Sequence, residues 1–147
     1  MSIPIITLIK TRLEIVLNTI TDIKKVYMFP ITPINADTAP YPFTAVFDTH
    51  EGWENRNQLE VNVLNFHIET WVKIGADTDT LVTKLDLLEA TIHDTIMTEL
   101  KTGTLHNYIE KSEKRSPTKQ YIDEDSTGIL TQGYILTYLQ KYGNSFL

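Results

Sequence analysis

From Pro4 to about Asp22 the apolar residues Ile5, Ile9, Val16 and Ile20 fall four, seven and four apart, Leu13 fills the gap, and Ile6 and Leu17 widen the stripe. That period predicts an amphipathic helix with one face on a core. Pro4 is expected in its first turn, where the missing N–H costs nothing, with Ser2 or Ile3 before it. Leu8 and Ile15, seven apart, lie on the opposite face. They read either as surface hydrophobes or as a second buried contact, with the chain's own hairpin or with a neighbouring subunit.

The period then changes from helical to alternating. Lys24 to Phe29 reads as a short strand ending near Pro30, and Pro33, Asn35, Asp37, Pro40 and Pro42 mark a loop. Phe43 to Thr49 resumes extended structure, His50 to Asn57 forms a polar connection carrying Trp53, and Gln58 to about Ile74 returns, which predicts a hairpin. On the returning strand Leu59, Val61 and Val63 share one face and Leu64, Phe66, Ile68, Thr70 and Val72 the other. The phase slip at Val63-Leu64 calls for a β-bulge there, or for two halves buried against different things. At about 3.3 Å per residue this strand reaches roughly 55 Å, against a radius of gyration near ~15 Å for a chain of this size. The hairpin must bend strongly or project, and a projecting hairpin exposes strand edges that another copy of the protein is suited to cover.

Gly75 to Asp79 supplies a turn and an N-cap for a second, longer helix ending near Gly103. Leu81, Leu85, Leu88, Ile92 and Ile96 follow spacings of 4, 3, 4 and 4, with Val82 and Leu100 extending the same side. Leu87 lies off this stripe, as a candidate contact residue or an ordinary exposed leucine. Between Thr104 and Thr127, Leu105, Tyr108 and Ile109 suit packing. The polar runs Glu110–Pro117 and Asp123–Asp125 read as mobile stretches around a short strand near Gln120–Ile122. The closing segment Ile129–Tyr142 alternates with apolar residues on both faces, so it is expected at the centre of a sheet. The fold class is α+β: a mostly antiparallel sheet with a long hairpin, packed against two helices, in a single domain spanning residues 1–147.

Composition narrows the chemistry more than it widens it. With 41% hydrophobic and 22% charged residues in 147, the chain has the makings of one core and not of a disordered segment. It has no cysteine, which removes disulfides, thiolate metal sites and sulfur redox chemistry. The start, Met1 to Lys10, lacks a basic leader and is read as carrying no export signal. No run reaches the ~18 apolar residues of a membrane span. A net charge of -6 is the wrong sign for broad contact with a phosphate backbone.

Metal ligation would have to draw on His50, His67, His93 and His106. His67 shares a strand face with Glu69 and His93 follows Glu89 by four, but neither pair gains a third ligand at a useful spacing. The six glycines stand singly, so no phosphate-cradling loop is present, and no nucleophile-elbow motif exists. Glu51 with Glu54 and Asp123 with Asp125 read as solvated charge. Lys111, Lys114, Arg115 and Lys119, interleaved with Glu110 and Glu113, form a basic tip that is either solvated or touches DNA or an acidic partner. No catalytic, cofactor or metal site is expected, and the chain is read as a subunit that works by assembly.

Taken in order, the Ile-rich opening helix up to Leu17, the Trp53-tipped hairpin, the Leu81-to-Leu100 helix and the Gly133-Tyr134-Ile135-Leu136-Thr137-Tyr138 ending resemble the tail terminator (tail completion) proteins of long-tailed bacteriophages. Related small neck proteins share the layout. The resemblance implies a non-enzymatic virion protein without cofactors, assembled in the host cytoplasm and placed at the head-proximal end of the tail. It further implies a homo-hexameric ring that caps the tail tube protein, stops its growth and docks the head connector protein, with DNA passing through but not tightly held. On that reading the subunit and partner contacts fall to the hairpin around Trp53, with His50, Glu51 and Glu54, and to Leu8, Ile15 and Leu87. Two other readings stand beside it: a head-completion or connector (neck) protein, and a small-ligand-binding α+β domain.

Overall fold

The computed structural model describes residues 4–30, 32–56, 59–74, 78–122 and 126–141, with the backbone alone for 49–56, 78–79 and 140–141. In chain order the elements are α1 (Ile5–Asn18), β1 (Lys25–Met28), β2 (Phe43–Arg56), β3 (Leu59–Lys73), α2 (Thr78–Thr102), a 3₁₀ turn (Thr104–Asn107), β4 (Ile109–Lys114), β5 (Thr118–Ile122) and β6 (Thr127–Lys141). The fold is α+β, a six-stranded sheet of order β1-β2-β3-β6-β4 with β5 beside β4 on the same flank of β6. All strand pairs are antiparallel except β1 with β2.

The apolar stripe of α1 buries Ile5, Ile9, Leu13, Val16 and Leu17 as its spacing requires. The helix is shorter than the pattern predicts. Pro4 stands at the N-cap and not in the first turn, and the helix stops at Asn18. There the side chains of Asn18 and Thr19 donate to the carbonyls of Glu14 (3.0 Å) and Val16 (2.6 Å), while the Thr19 and Ile20 amides tighten onto Val16 and Leu17. Side chains that compete for carbonyls favour a helix end. Ile20 and Ile23 still reach the core from the following turns.

β3 and β6 pair without a register shift from Leu59↔Lys141 to Lys73↔Thr127. Even-numbered residues of both strands face the helices: Leu64, Phe66, Ile68 and Val72 on β3, and Leu130, Tyr134, Leu136 and Tyr138 on β6, are buried there. Phe66 and Tyr134, directly opposite, stack at 5.4 Å. Leu81, Leu85, Leu88, Ile92 and Ile96 of α2 close this layer, each contributing about 2 kcal/mol by leaving water. α2 comes so close to the sheet that a Cβ on Gly128 would stand 2.7 Å from Leu85 Cδ1. Val82, expected on the same side, is at the exposed edge of the stripe.

Three sequence expectations need correcting. The polar segment His50–Arg56 is not a connection but the far half of β2, paired with β3. The phase slip has its bulge on that partner strand, where Glu51 and Gly52 together oppose Val63, while β3 itself runs straight. Glu110–Lys114, expected to be mobile, is strand β4, and β5 follows it along the same edge of β6. An edge strand at the periphery of a core is held by its ladder and needs no apolar alternation, so periodicity cannot reveal it. On the face turned away from the helices, the loop after β1 packs over Phe43, which stacks on Trp71 at 5.7 Å and meets Tyr27 and Tyr41 edge-on.

Adjacent leucines on α2 separate core from surface. Leu88 is 1% exposed and Leu87 58%. Leu88→Ala is expected to cost about 3 kcal/mol of unfolding free energy in urea titrations, and Leu87→Ala less than about 0.5 kcal/mol.

Candidate functional site

The two helices pack with a groove of about 360 Å³ between them, walled by Arg12 and Ile15 of α1, by Thr19 just after it, and by Asp94, Thr98 and Glu99 of α2. At its base Arg12 grips Glu99 in a bidentate pair, Nε to Oε1 at 2.6 Å and Nη2 to Oε2 at 3.2 Å. Glu99, 7% exposed, also accepts the Leu105 amide at 3.1 Å. Gly103 allows this arrangement, because a Cβ there would overlap the Glu99 carboxylate. The Arg12 guanidinium holds the Glu99 carboxyl below the usual carboxylate range despite its burial, and the Leu105 amide adds to the effect. The pair locks α1 to the C-terminal end of α2. Its partners are 87 positions apart, so no local pattern could announce it.

A second polar set ties the flank of α2 to β5 and β6. Lys119 pairs with Asp86 and lies 3.9 Å from Glu89, and Gln132 Nε2 donates to the Glu89 carbonyl at 3.0 Å. His93 Nδ1 stands 3.1 Å from the Tyr134 hydroxyl. Burial pushes His93 down, helped by Lys114, and pushes Tyr134 up to about 12. At neutral pH the phenol therefore keeps its proton, the imidazole is neutral, and the two share one hydrogen bond. That is a fixed structural contact, not a poised acid–base pair. His67 Nε2 and Glu69 Oε2 are 3.6 Å apart on an open sheet face. Among the described residues no three His, Cys, Asp or Glu side chains are grouped to hold a metal. No described helix is long and apolar enough to cross a membrane.

Of the residues singled out as contacts, Ile15 is 49% exposed and lines the groove, Leu8 is half-buried in the first turns of α1, and Leu87 is exposed well away along α2. Of these three, only Ile15 is among the residues that line the groove. The backbone of His50, Glu51, Trp53 and Glu54 lies on β2, and their side chains fall outside the described residues. The chain matches no protein-family model, and no curated protein is detectably similar to it.

β1 (Lys25–Met28) covers only Phe43 to Val46 of β2, so the stretch Phe47–Arg56 has no strand on its outer side among the described residues. The opposite border of the sheet is the β4–β5 edge. By sequence the first edge carries Asp48, Glu51 and Glu54 against Arg56 alone, and the second carries Lys111, Lys114, Arg115 and Lys119 against Glu110 and Glu113. Asp48 is paired with Lys10 of α1, Lys119 with Asp86 and Lys111 with Glu113; net of those pairs the first border keeps Glu51 and Glu54 against Arg56, a small acidic excess, and the second Lys114 and Arg115 against Glu110, a small basic one.

The displaced titrations of Glu99 and His93 act in one direction. Glu99, held below its unfolded value of ~4.3, gives stability that is complete above that value and lost as pH falls through the lower folded value. His93, held below ~6.5, gives stability that is complete above that value and declines as the pH drops beneath it. Urea titrations from about pH 8 to pH 3 should show both declines. Glu99→Gln is expected to flatten the lower one and His93→Gln the upper one.

Proposed function

We propose that this protein is a structural virion subunit, a tail terminator of a long-tailed bacteriophage. It closes with copies of itself into a homo-hexameric ring that caps the tail tube, stops its elongation and joins it to the head connector. The observation that carries this reading is the pair of oppositely charged sheet borders. An open strand edge is a template for another strand. An acidic edge on one side and a basic edge on the other favour head-to-tail joining, which closes into a ring when the rotation per copy allows it. Like-charged edges of two copies repel, so back-to-back pairing is disfavoured.

The remaining features are consistent with that role. The net charge of -6 suits the wall of a conduit that must let DNA slide. Ile15 in the helix groove and Leu87 farther along α2 offer apolar contacts away from the sheet borders, for the tube or the connector. No cofactor enters the account, and the place of action is the head-proximal end of the virion tail.

Co-sedimentation tests it. The protein is expected to pellet with purified tails that lack their terminator, and the variant carrying Glu51→Lys with Glu54→Lys to remain in the supernatant while its own stability changes by less than about 0.5 kcal/mol. Pelleting with capsids and not with tails would make it a head-completion protein of the neck. Pelleting with neither would remove the reading.

A further inference from the structure

The sheet face away from the helices holds a cleft of about 250 Å³ under the loop that follows β1. Pro30, Pro33 and Ile34 wall it, Phe43, Phe47 and Trp71 floor it, and Glu69 is the one charged residue among those lining it. The floor follows from the strand register: Phe43 opposes Trp71 and Phe47 opposes His67, with the rings stacked at 5.7 and 5.0 Å. Glu69, between Trp71 and His67 on the same face of β3, accepts the Trp71 indole N–H at 3.3 Å and has His67 Nε2 at 3.6 Å. Each carboxylate oxygen has two lone pairs, so acceptor capacity remains after these contacts.

Aromatic rings outside the cleft already receive the chain's own cations. Lys10 Nζ stands 4.4 Å from the Phe29 ring centre, Lys25 Nζ 5.7 Å from that of Tyr27, and Lys73 Nζ 5.8 Å from that of Tyr41. Among the described residues no cation stands over Trp71 or Phe47, the rings that floor the cleft. We infer that this cleft binds the guanidinium group of an arginine side chain presented by another protein chain. A planar, weakly hydrated guanidinium stacks on an indole or phenyl face and donates a fork of N–H groups to a carboxylate, which Glu69 supplies beside Trp71. A cleft below the usual size for a whole small-molecule ligand suits one side chain. The site goes beyond the ring reading and does not depend on it.

Titration of the full-length protein with N-acetyl-arginine amide, followed through the Trp71 indole N–H in nitrogen-15 spectra, tests the site, with the Trp53 indole as internal reference. A saturable shift of Trp71 is expected, absent with the citrulline analogue, whose neutral urea keeps the shape and loses the charge. Tetramethylammonium, which can face an aromatic ring but cannot donate to Glu69, should bind more weakly, and free arginine no more tightly than the capped form. Glu69→Gln should weaken binding roughly tenfold or more with the fold retained by circular dichroism. No saturable shift, an equal response to citrulline or tetramethylammonium, or tighter binding of free arginine would each overturn the assignment. The citrulline comparison decides the matter on the unaltered chain if the variant does not fold.

Discussion

Unbroken pairing of β3 with β6 positions nearly everything else in the molecule. Along Leu59–Lys73 and Thr127–Lys141 the alternation of side chains stays in phase across both strands, so one face of the pair becomes continuous apolar surface for α1 and α2. The same register puts Phe66 against Tyr134 under α2 and places Gly128 where Leu85 comes closest. A slip of one residue would turn each of these to the other face. Keeping that register straight moves the irregularity to β2, which takes an extra residue opposite Val63.

The helices cover one face only, and the two borders of the sheet are built from polar sequence. Leu81 to Leu100 of α2 meets the sheet with apolar side chains, whereas the flank of α2 near the β4–β5 edge does so through Lys119, Gln132 and the His93–Tyr134 contact. The ion pair of Arg12 with Glu99 fixes the helix layer from the other side. Removing Arg12 leaves the buried Glu99 carboxylate without its ion-pair partner, so the contact specifies how α1 sits on α2 more than it adds net stability. The outer face carries the aromatic cleft, and the far half of β2 has no strand beyond it among the described residues.

Periodicity identified the elements that bury a stripe. Ile5 to Leu17, Leu81 to Ile96 and the two-sided β6 all fall where the spacing of apolar residues puts them, and the α+β class follows from them. It failed where main-chain hydrogen bonds alone define the structure. Glu110–Lys114 and His50–Arg56 alternate no apolar residues and are nevertheless strands, because β6 and β3 supply their ladders. The parallel β1–β2 contact was equally hidden, since nothing in four residues encodes the direction of a neighbour. Among the candidate contacts, the exposure of Ile15 and Leu87 was legible from their places off the helical stripes. The Arg12–Glu99 pair and the aromatic cleft were not, because both join segments distant in the chain.

The claim on which the functional account stands is that complementary sheet borders join copies into a closed ring. Light scattering of the purified protein after size exclusion, with negative-stain images of the same fractions, measures this directly. The account predicts a mass near six copies and annular particles, formed in solution or on addition of tail tubes. A stable monomer that ignores tail tubes would contradict it, leaving the α+β fold in place without an assembly to serve.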